Sequence, residues 1–402
     1  MTRPGLAPLV VLAGVSAALH VGKLPPALPA LQRSLGIGLV EAGFLLSLVQ
    51  LAGMTLGVLA GLAADSLGLR RVMIGGIVLL SAASALGASN QGAAALLVLR
   101  AIEGLGFLLA TLPAPGLIRR WEDPNRLHAA LGLWGAYMPI GTASALLVGP
   151  VVIGRTGWPA WWWITAAGSA LMALVLWRVV PADPQAAPVS WQGIGARLRR
   201  TLASAGPWLA ALSFAVYSGQ WLALIGFLPS IYAQAGWALG WAAAATAFAA
   251  GINLVGNIGS GRLLQRGVPP PWLLRSGFAA MLLGGVLAFA PYDLFSPAST
   301  AGVRYAGVLL FSMVGGLVPG TLFALSVRLA PDPGSHSTTV GWMQQWSSLG
   351  QFAGPPIVAW VAARHGNWEW TWLVTGAMAA AGIALATPIA RRLADASAPR
   401  PP

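Results

Sequence analysis

Two ionisable residues stand three positions apart in an otherwise apolar run, "RAIEGLG". In a helix, this spacing places Arg100 and Glu103 on the same face. Ionisable groups are costly inside a membrane-spanning helix, and they usually face a cavity or a partner of opposite charge. The pair therefore predicts either a buried structural ion pair or a functional charge within an apolar helix.

A second charged site lies near the N-terminus, in the stretch "HVGKLPP". Lys23 is the only lysine of the chain, and His20 precedes it by one helical turn. One interpretation is a lysine whose long side chain snorkels to the membrane surface. The other is a positive site for an anion, formed by His20 and Lys23 with help from Arg100.

Isolated polar and aromatic residues interrupt other apolar runs. Such side chains either bind a ligand or join helices by hydrogen bonds. Because they come from five different runs, we predict that they line a shared substrate cavity. They are Gln50, Trp134, Tyr137, Gln220, Asn253, Asn257, Gln344 and Gln345.

The composition indicates a membrane protein. Of the 402 residues, 57% are hydrophobic and 8% are charged, whereas a soluble domain is about 25% charged. The apolar runs are about 20 residues long, enough to cross a bilayer. We predict twelve spans, at residues 7–27, 40–63, 72–90, 93–116, 128–152, 160–180, 206–229, 239–262, 272–291, 302–326, 338–362 and 369–391.

The basic residues predict the orientation of these spans. With a cytoplasmic N-terminus, 17 of the 23 Lys and Arg residues fall on the cytoplasmic side and 5 on the outer side. Both termini are therefore expected in the cytoplasm. The first apolar run also resembles a signal peptide, but we favour an uncleaved span because its removal would leave an odd number. The net charge of +13 is scattered over the connections, so we do not expect a nucleic-acid partner.

The chain predicts two related halves. A six-span half at residues 1–180 is followed by a cytoplasmic linker at 181–205 and a second six-span half at 206–402. Small residues and a proline recur at an offset of 205, and a Trp-rich corner follows each set. We interpret Trp161 to Trp163 in the first corner as anchors at the outer membrane boundary. The repeated residues are Ala136, Ala145, Gly149 and Pro150, then Gly341, Gly350, Gly354 and Pro355.

The connection between spans 2 and 3 reads "GLAADSLGLRR". Gly61 and Gly68 allow a tight turn and a close backbone approach. Asp65 can pair with Arg70, with Arg71 or with a neighbouring helix terminus. We predict that these five residues form a gate that holds two helices together in one conformation and releases them in another.

This loop resembles the signature of the major facilitator superfamily, with Ser66 and Leu69 at two positions that are usually basic. The resemblance extends over the whole chain and implies an all-α fold of twelve helices in two pseudo-symmetric halves. It also implies that Arg100, followed by Gly104, acts in proton coupling or anion attraction. The stretches "LGLWGAYMPIG" and "GWMQQWSSLGQFAGPP" are similar to the cyanate and nitroimidazole permeases, which implies a small anion or compact polar solute. The Gly-Pro pattern of span 5 partly resembles an antiporter motif.

We therefore predict a secondary transporter that works by alternating access. It would carry a small anionic or polar organic solute across a bacterial inner membrane, coupled to protons through Glu41 and Glu103. Proton-driven efflux of drugs or metabolites is the alternative, and a non-transporting receptor stays open. We expect no enzyme and no cofactor, because the histidines are scattered and there is no phosphate-binding loop. The expected partners are the solute, protons and the lipid bilayer, and we expect a monomer.

Overall fold

The computed structural model describes residues 6–89, 92–123, 130, 133–183, 191–291 and 297–395. Within these ranges, the side chains of residues 59–66, 191–194, 297–299, 333 and 337 are not part of the description. The α-helices are Leu6–Gly22, Leu28–Leu35, Leu39–Ser47, Leu51–Leu67, Leu69–Ser89, Ala93–Thr111, Ala114–Trp121, Tyr137–Thr156, Trp158–Val179, Trp191–Leu202, Ala205–Gln234, Leu239–Gly251, Asn253–Gln265, Pro270–Phe289, Pro297–Gly315, Leu317–Leu329, His336–His365 and Thr371–Asp395. The all-α prediction is confirmed, since these described ranges contain no strand.

Within the described residues, each of the twelve predicted spans corresponds to one long helix or to two helices end to end. The predicted start of span 5, at residues 128–132, lies largely outside the described residues. Among the described residues, eleven helical segments are long and apolar enough to cross a membrane. The remaining predicted span, span 11, is the 30-residue helix His336–His365. That helix is rich in Gln, Ser and Trp, which makes it less apolar than its neighbours.

Several spans are broken in the middle. Span 1 is interrupted by a 3-10 turn at Pro25–Ala27, because two prolines cannot donate the backbone hydrogen bonds of a continuous helix. Span 2 has a 3-10 turn at Leu48–Gln50, and span 8 breaks between Gly251 and Asn253. Such breaks free carbonyl groups that side chains from other spans can reach.

The chain divides into two compact units. Unit 1 comprises residues 1–189 and 224–251, and unit 2 comprises residues 190–223 and 252–402. The sequence boundaries of the two halves, at 180 and 206, stay a prediction. In unit 1, the core includes Val10, Ile77, Leu80 and Phe107, from spans 1, 3 and 4.

Small residues bring spans 1 and 5 into close contact in unit 1. A Cβ added to Gly22 would lie 2.8 Å from Thr142 Cα, and one added to Gly149 would lie 2.9 Å from Pro26 Cγ. Neither position has room for a side chain. The backbones therefore pack directly on one another, as small-residue motifs allow in membrane helices.

Spans 7 and 11 cross in the same manner in unit 2. A Cβ on Gly219 would lie 2.7 Å from the carbonyl oxygen of Gly350. In return, Gly350 faces the carbonyl of Ala215, and Gly354 faces that of Gly219. The positions that repeat at an offset of 205 therefore share a packing role, since Ala145 and Gly149 contact span 1 as Gly350 and Gly354 contact span 7.

Candidate functional site

A cluster of ionisable side chains lies buried in unit 1, between spans 1 and 4. The Lys23 ammonium is 2.5 Å from Glu103 Oε1, and Arg100 Nη1 is 2.7 Å from Glu103 Oε2. His20 and Lys23 are 0% exposed, Glu103 is 2% and Arg100 is 3%. We call these four residues the charge cluster. The structure thus brings together the two charged sites that the sequence singled out 80 residues apart.

Lys23 points into the helix bundle and does not snorkel. Its ammonium donates hydrogen bonds to Glu103, to Ser84 Oγ at 2.7 Å and to His20 Nδ1 at 3.3 Å. It also lies 4.6 Å from the centre of the Trp162 ring, a cation–π contact. All three ammonium protons are therefore used inside the protein.

His20 extends the cluster toward span 6. Because Nδ1 accepts a hydrogen bond from Lys23, Nε2 carries the ring proton and donates it to Ser169 Oγ at 2.8 Å. Ser169 Oγ is in turn 3.1 Å from Ser16 Oγ. A continuous hydrogen-bonded chain therefore runs from Glu103 through Lys23 and His20 to Ser16.

Arg100 is held by backbone carbonyls as well as by Glu103. Its Nε donates to the carbonyl of Leu45 at 3.1 Å, and its Nη1 donates to the carbonyl of His20 at 2.5 Å. The remaining nitrogen, Nη2, is buried without a hydrogen-bond partner. Formally, the cluster holds two positive groups and one negative group.

Arg100 and Glu103 border a small cavity of about 10 Å³. Its other walls are apolar, from Leu24, Leu31, Leu45, Leu96, Leu99 and Trp162. Ligand cavities for small organic molecules are about 300 to 1,000 Å³. This cavity therefore has no room for an organic solute.

Local sequence explains how the cluster is assembled. Gly104 lets span 4 approach the carbonyl of Val49 in span 2, where a Cβ would clash. This contact brings Arg100, one turn earlier, within reach of Leu45. On span 1, the proline break leaves the Lys23 carbonyl free to accept a hydrogen bond from Trp161 Nε1 at 3.1 Å.

Unit 2 has an uncharged network where spans 8 and 10 cross. Asn253 Nδ2 donates to the Ser312 carbonyl at 2.7 Å and to the Tyr217 hydroxyl at 3.0 Å. Asn253 Oδ1 accepts a hydrogen bond from Asn257 Nδ2 at 2.9 Å. Two predicted cavity residues, Asn253 and Asn257, therefore bond to each other and to their own unit.

The two crossings correspond to each other. Gly316 faces the carbonyl of Asn253 just as Gly104 faces that of Val49. Counting back four residues from each glycine, Arg100 corresponds to Ser312. The equivalent crossing in unit 2 thus keeps the packing and replaces the arginine with a neutral residue.

At the predicted gate loop, the structure shows a residue that the sequence analysis missed. The Asp183 carboxylate accepts the backbone N–H groups of Arg70 and Arg71, both at 3.1 Å, and pairs with Arg120 at 3.0 Å. It thereby satisfies two free amides at the N-terminus of span 3. The predicted turn at Gly68 is present, with φ of +96°. A Cβ at Gly68 would collide with the Asp183 carboxylate.

Arg70 also donates from Nη2 to the carbonyl of Trp177 at 2.6 Å. The start of span 3 is therefore joined to the ends of spans 4 and 6. The surroundings of Gly61 and the side chain of Asp65 lie outside the description, so their predicted roles, including the pairing of Asp65, stay predictions. Asp183 lies between two prolines in "PADP", but its 113-residue distance from Arg70 gave no signal of contact.

The other predicted residues occupy varied environments. Trp134 and Tyr137 stack at the start of span 5, with ring centres 4.2 Å apart. Gln220 is buried, donates from Nε2 to Val216 and leaves Oε1 without a partner. Glu41 has an exposed side chain in the first turn of Leu39–Ser47, and it takes part in none of the bonds described above for the charge cluster.

Gln50 lies buried in the 3-10 turn of span 2. Gln344 is exposed and Gln345 half-buried on span 11.

The anchor interpretation of the first Trp corner is wrong for two residues. Trp161 and Trp162 are buried at 3% and 2% exposure, where they contact Lys23, whereas Trp163 is 50% exposed. Among the described residues, no group of His, Cys, Asp and Glu has the arrangement of a metal site.

Comparison with solved structures supports the fold. The chain superposes on a bacterial homologue of the human lysosomal transporter Spinster, in an inward-facing and occupied conformation, with a TM-score of 0.81. The match covers 98% of both chains at 16% sequence identity. At this identity, the likeness shows the fold alone.

Two curated relatives are named for export or transport. The chain is 29% identical over 169 residues to the tetracenomycin C resistance and export protein of Streptomyces glaucescens, which is 42% of this chain and 31% of that protein. It is 26% identical over 324 residues to the putative niacin/nicotinamide transporter NiaP of Bacillus subtilis, which is 78% of this chain and 77% of that protein.

The family model of the Major Facilitator Superfamily matches residues 10–355, most of the chain. The match includes the gate loop, the charge cluster and the repeated crossings of both units. Together with the all-helical fold, it identifies the chain as a multi-pass membrane protein. The chain belongs to the Major Facilitator Superfamily.

Proposed function

We propose that this transporter moves a small organic anion across the bacterial inner membrane by alternating access, driven by protons. The observation that carries the proposal is the charge cluster, in which two buried cations share one carboxylate. Buried ionisable residues in membrane spans commonly mark solute paths or proton relays. The excess of positive charge would attract an anionic solute toward the cluster, although the solute itself would bind outside the cavity of about 10 Å³.

The solute class is supported by one relative. Niacin, named for the Bacillus subtilis protein, is a small aromatic carboxylic acid, and that alignment spans most of this chain. We take nicotinate as the first probe for this reason. The narrower prediction of a cyanate-type or nitroimidazole-type permease stays a prediction, because the relatives above carry other solutes in their names.

Glu103 is the proposed proton carrier. A proton added to its carboxylate would remove the negative charge that both Lys23 and Arg100 contact. The bonds between spans 1 and 4 would then have to rearrange, which links protonation to helix movement. Glu41, exposed near the start of span 2, remains a second candidate.

Asp183 is proposed as part of the gate. Asp183 follows span 6, and it joins the start of span 3 to the end of span 4 through Arg70, Arg71 and Arg120. With Asp65, it would hold the cytoplasmic ends of these spans together in one state of the cycle. We further propose cytoplasmic termini, functional halves at residues 1–180 and 206–402, and a monomer.

The test is uptake of radiolabelled nicotinate into proteoliposomes, with and without an imposed pH gradient. We expect an acidic exterior to accelerate uptake, and Glu103→Gln to abolish that acceleration while solute exchange without a gradient persists. Asp395→Asn, at an exposed position, serves as the control. If Glu103→Gln and Glu41→Gln both keep the acceleration, the proton assignment is wrong. If nicotinate and other small carboxylates are not taken up at all, the anion assignment is wrong.

Drug export is the second candidate function. It is favoured by the name of the Streptomyces glaucescens relative, although that match spans only 31% of the relative's length. The same proteoliposomes, prepared with an acidic interior, would test it with tetracenomycin C. Accumulation of the drug without accumulation of nicotinate would favour export.

A further inference from the structure

We infer that the small cavity beside Arg100 binds one monatomic anion of the chloride class. The first observation is the free donor of Arg100. Its Nε and Nη1 are bonded, whereas Nη2 is buried without a partner. The side chain is 3% exposed, so bulk water does not hydrogen-bond to this nitrogen. A buried charged donor without an acceptor is costly.

The second observation is the charge balance. Lys23 and Arg100 are positive, Glu103 is negative, and His20 accepts a hydrogen bond from Lys23 and so adds no charge. The neighbours from spans 3 and 6 are neutral, namely Ser84, Thr165, Ser169 and Trp162. One uncompensated positive charge therefore stays inside an apolar bundle, where a single monovalent anion would neutralise it.

The third observation is the size and lining of the cavity. Its volume of about 10 Å³ is that needed for one particle the size of a water molecule. A carboxylate such as nicotinate is too large, so this site is distinct from any site for the proposed solute. Both oxygens of Glu103 already accept bonds from cations.

A water molecule in this cavity would make only the minimum of hydrogen bonds, one with Arg100 and one with Glu103. A buried water molecule normally makes two to four hydrogen bonds, and apart from Arg100 and Glu103 the walls are leucines and a tryptophan. A halide needs fewer directed bonds, and it is attracted by the charge of Arg100. This inference goes beyond the proposed function, because the ion would belong to the resting protein.

The experiment compares thermal unfolding of the purified protein in sodium chloride, bromide and gluconate at equal ionic strength. A ligand that binds only the folded state raises its stability as the ligand concentration rises above Kd. We expect a saturable rise in melting temperature, by about 2 to 4 °C, with chloride and bromide but not with gluconate. Equal melting in all three salts would overturn the inference.

Two variants locate the site. Leu99→Phe would fill the cavity and remove the chloride response, whereas Val98→Phe, at an adjacent position that is 61% exposed, would keep it. If Leu99→Phe keeps the response, the halide binds elsewhere. A crystal grown in bromide offers a direct check without any substitution. An anomalous peak beside Arg100 Nη2 is expected, and a site holding only water would refute the proposal.

Discussion

Replacing Lys23 with methionine tests whether the charge cluster is a tight, jointly stabilised unit. Methionine keeps most of the volume of the side chain and removes the ammonium. The change deletes the bonds to Glu103, Ser84 and His20, at 2.5, 2.7 and 3.3 Å, and the contact with the Trp162 ring at 4.6 Å. The hydroxyl of Ser84 and Nδ1 of His20 each lose a buried partner.

The magnitude follows from what remains in the cluster. Breaking a buried ion pair by removing one partner costs about 3 to 5 kcal/mol. Lys23→Met leaves Glu103 paired with Arg100, so we expect the lower end, about 3 kcal/mol. Glu103→Gln leaves both Lys23 and Arg100 without the carboxylate that they share, so we expect the upper end, about 5 kcal/mol. The prediction that Glu103→Gln loses more stability than Lys23→Met is a stricter test than either magnitude.

The assay is thermal unfolding in detergent, followed by the fluorescence of the 19 tryptophans. On the scale of domains of about 200 residues, 3 kcal/mol corresponds to a fall of about 6 to 12 °C in melting temperature. Arg155→Met is the matched control, since Arg155 is exposed, and it should change stability by less than about 0.5 kcal/mol. The variant that carries both Lys23→Met and Glu103→Gln should lose less stability than the two single variants lose in sum, because the two residues are in contact.

Three results would contradict this reasoning. The first is a melting temperature for Lys23→Met that equals that of Arg155→Met. The second is a smaller loss for Glu103→Gln than for Lys23→Met. The third is strict additivity in the double variant, which would mean that the two side chains do not interact in the folded protein.

Three further predictions concern other sites. Asp183→Asn should destabilise the protein by about 1 to 2 kcal/mol and speed the hydrogen exchange of backbone amides at the start of span 3. Asp395→Asn is the control and should change neither quantity. Unchanged exchange in Asp183→Asn would show that Asp183 does not cap the helix of span 3. Gly256→Ala should lower the free energy of unfolding by about 1 to 3 kcal/mol, because its Cβ would collide with a carbonyl of span 10. Gly261→Ala, in the same helix but with open space around it, should raise the free energy of unfolding by up to about 1 kcal/mol. Thermal unfolding distinguishes the two variants, and equal effects would contradict the close crossing of spans 8 and 10. Gln220→Met should raise stability by up to about 1 kcal/mol, because it removes a buried oxygen without a hydrogen-bond partner. If transport is lost while stability rises, Gln220 binds the solute; if transport is kept, that role is excluded.

The spans could be predicted from the sequence because each one is a local apolar run. The helix His336–His365 was predicted even though its glutamines lower its apolarity, because its flanking connections carry polar and basic residues. The repeat at an offset of 205 also pointed to positions where backbones meet. Such signals need only neighbouring residues or a fixed period.

The environment of Lys23 could not be predicted in the same way. Its two interpretations differ only in the direction of one side chain, and that direction depends on Glu103, 80 residues away, and on Ser84, 61 residues away. Asp183 caps the backbone amides of Arg70 and Arg71, which are 113 and 112 residues away. Contacts of this kind are set by how spans pack, which a single sequence does not encode in any local pattern.

The direct backbone contact of spans 7 and 11 limits how these two helices can move. Gly219, Gly350 and Gly354 interlock with the opposing main chain with no side chain between them. Sliding one helix along the other by a residue would place a Cβ where a carbonyl now lies. The pair must therefore travel as one rigid element, and any bending within span 11 is expected at Pro355 and Pro356, inside the helix.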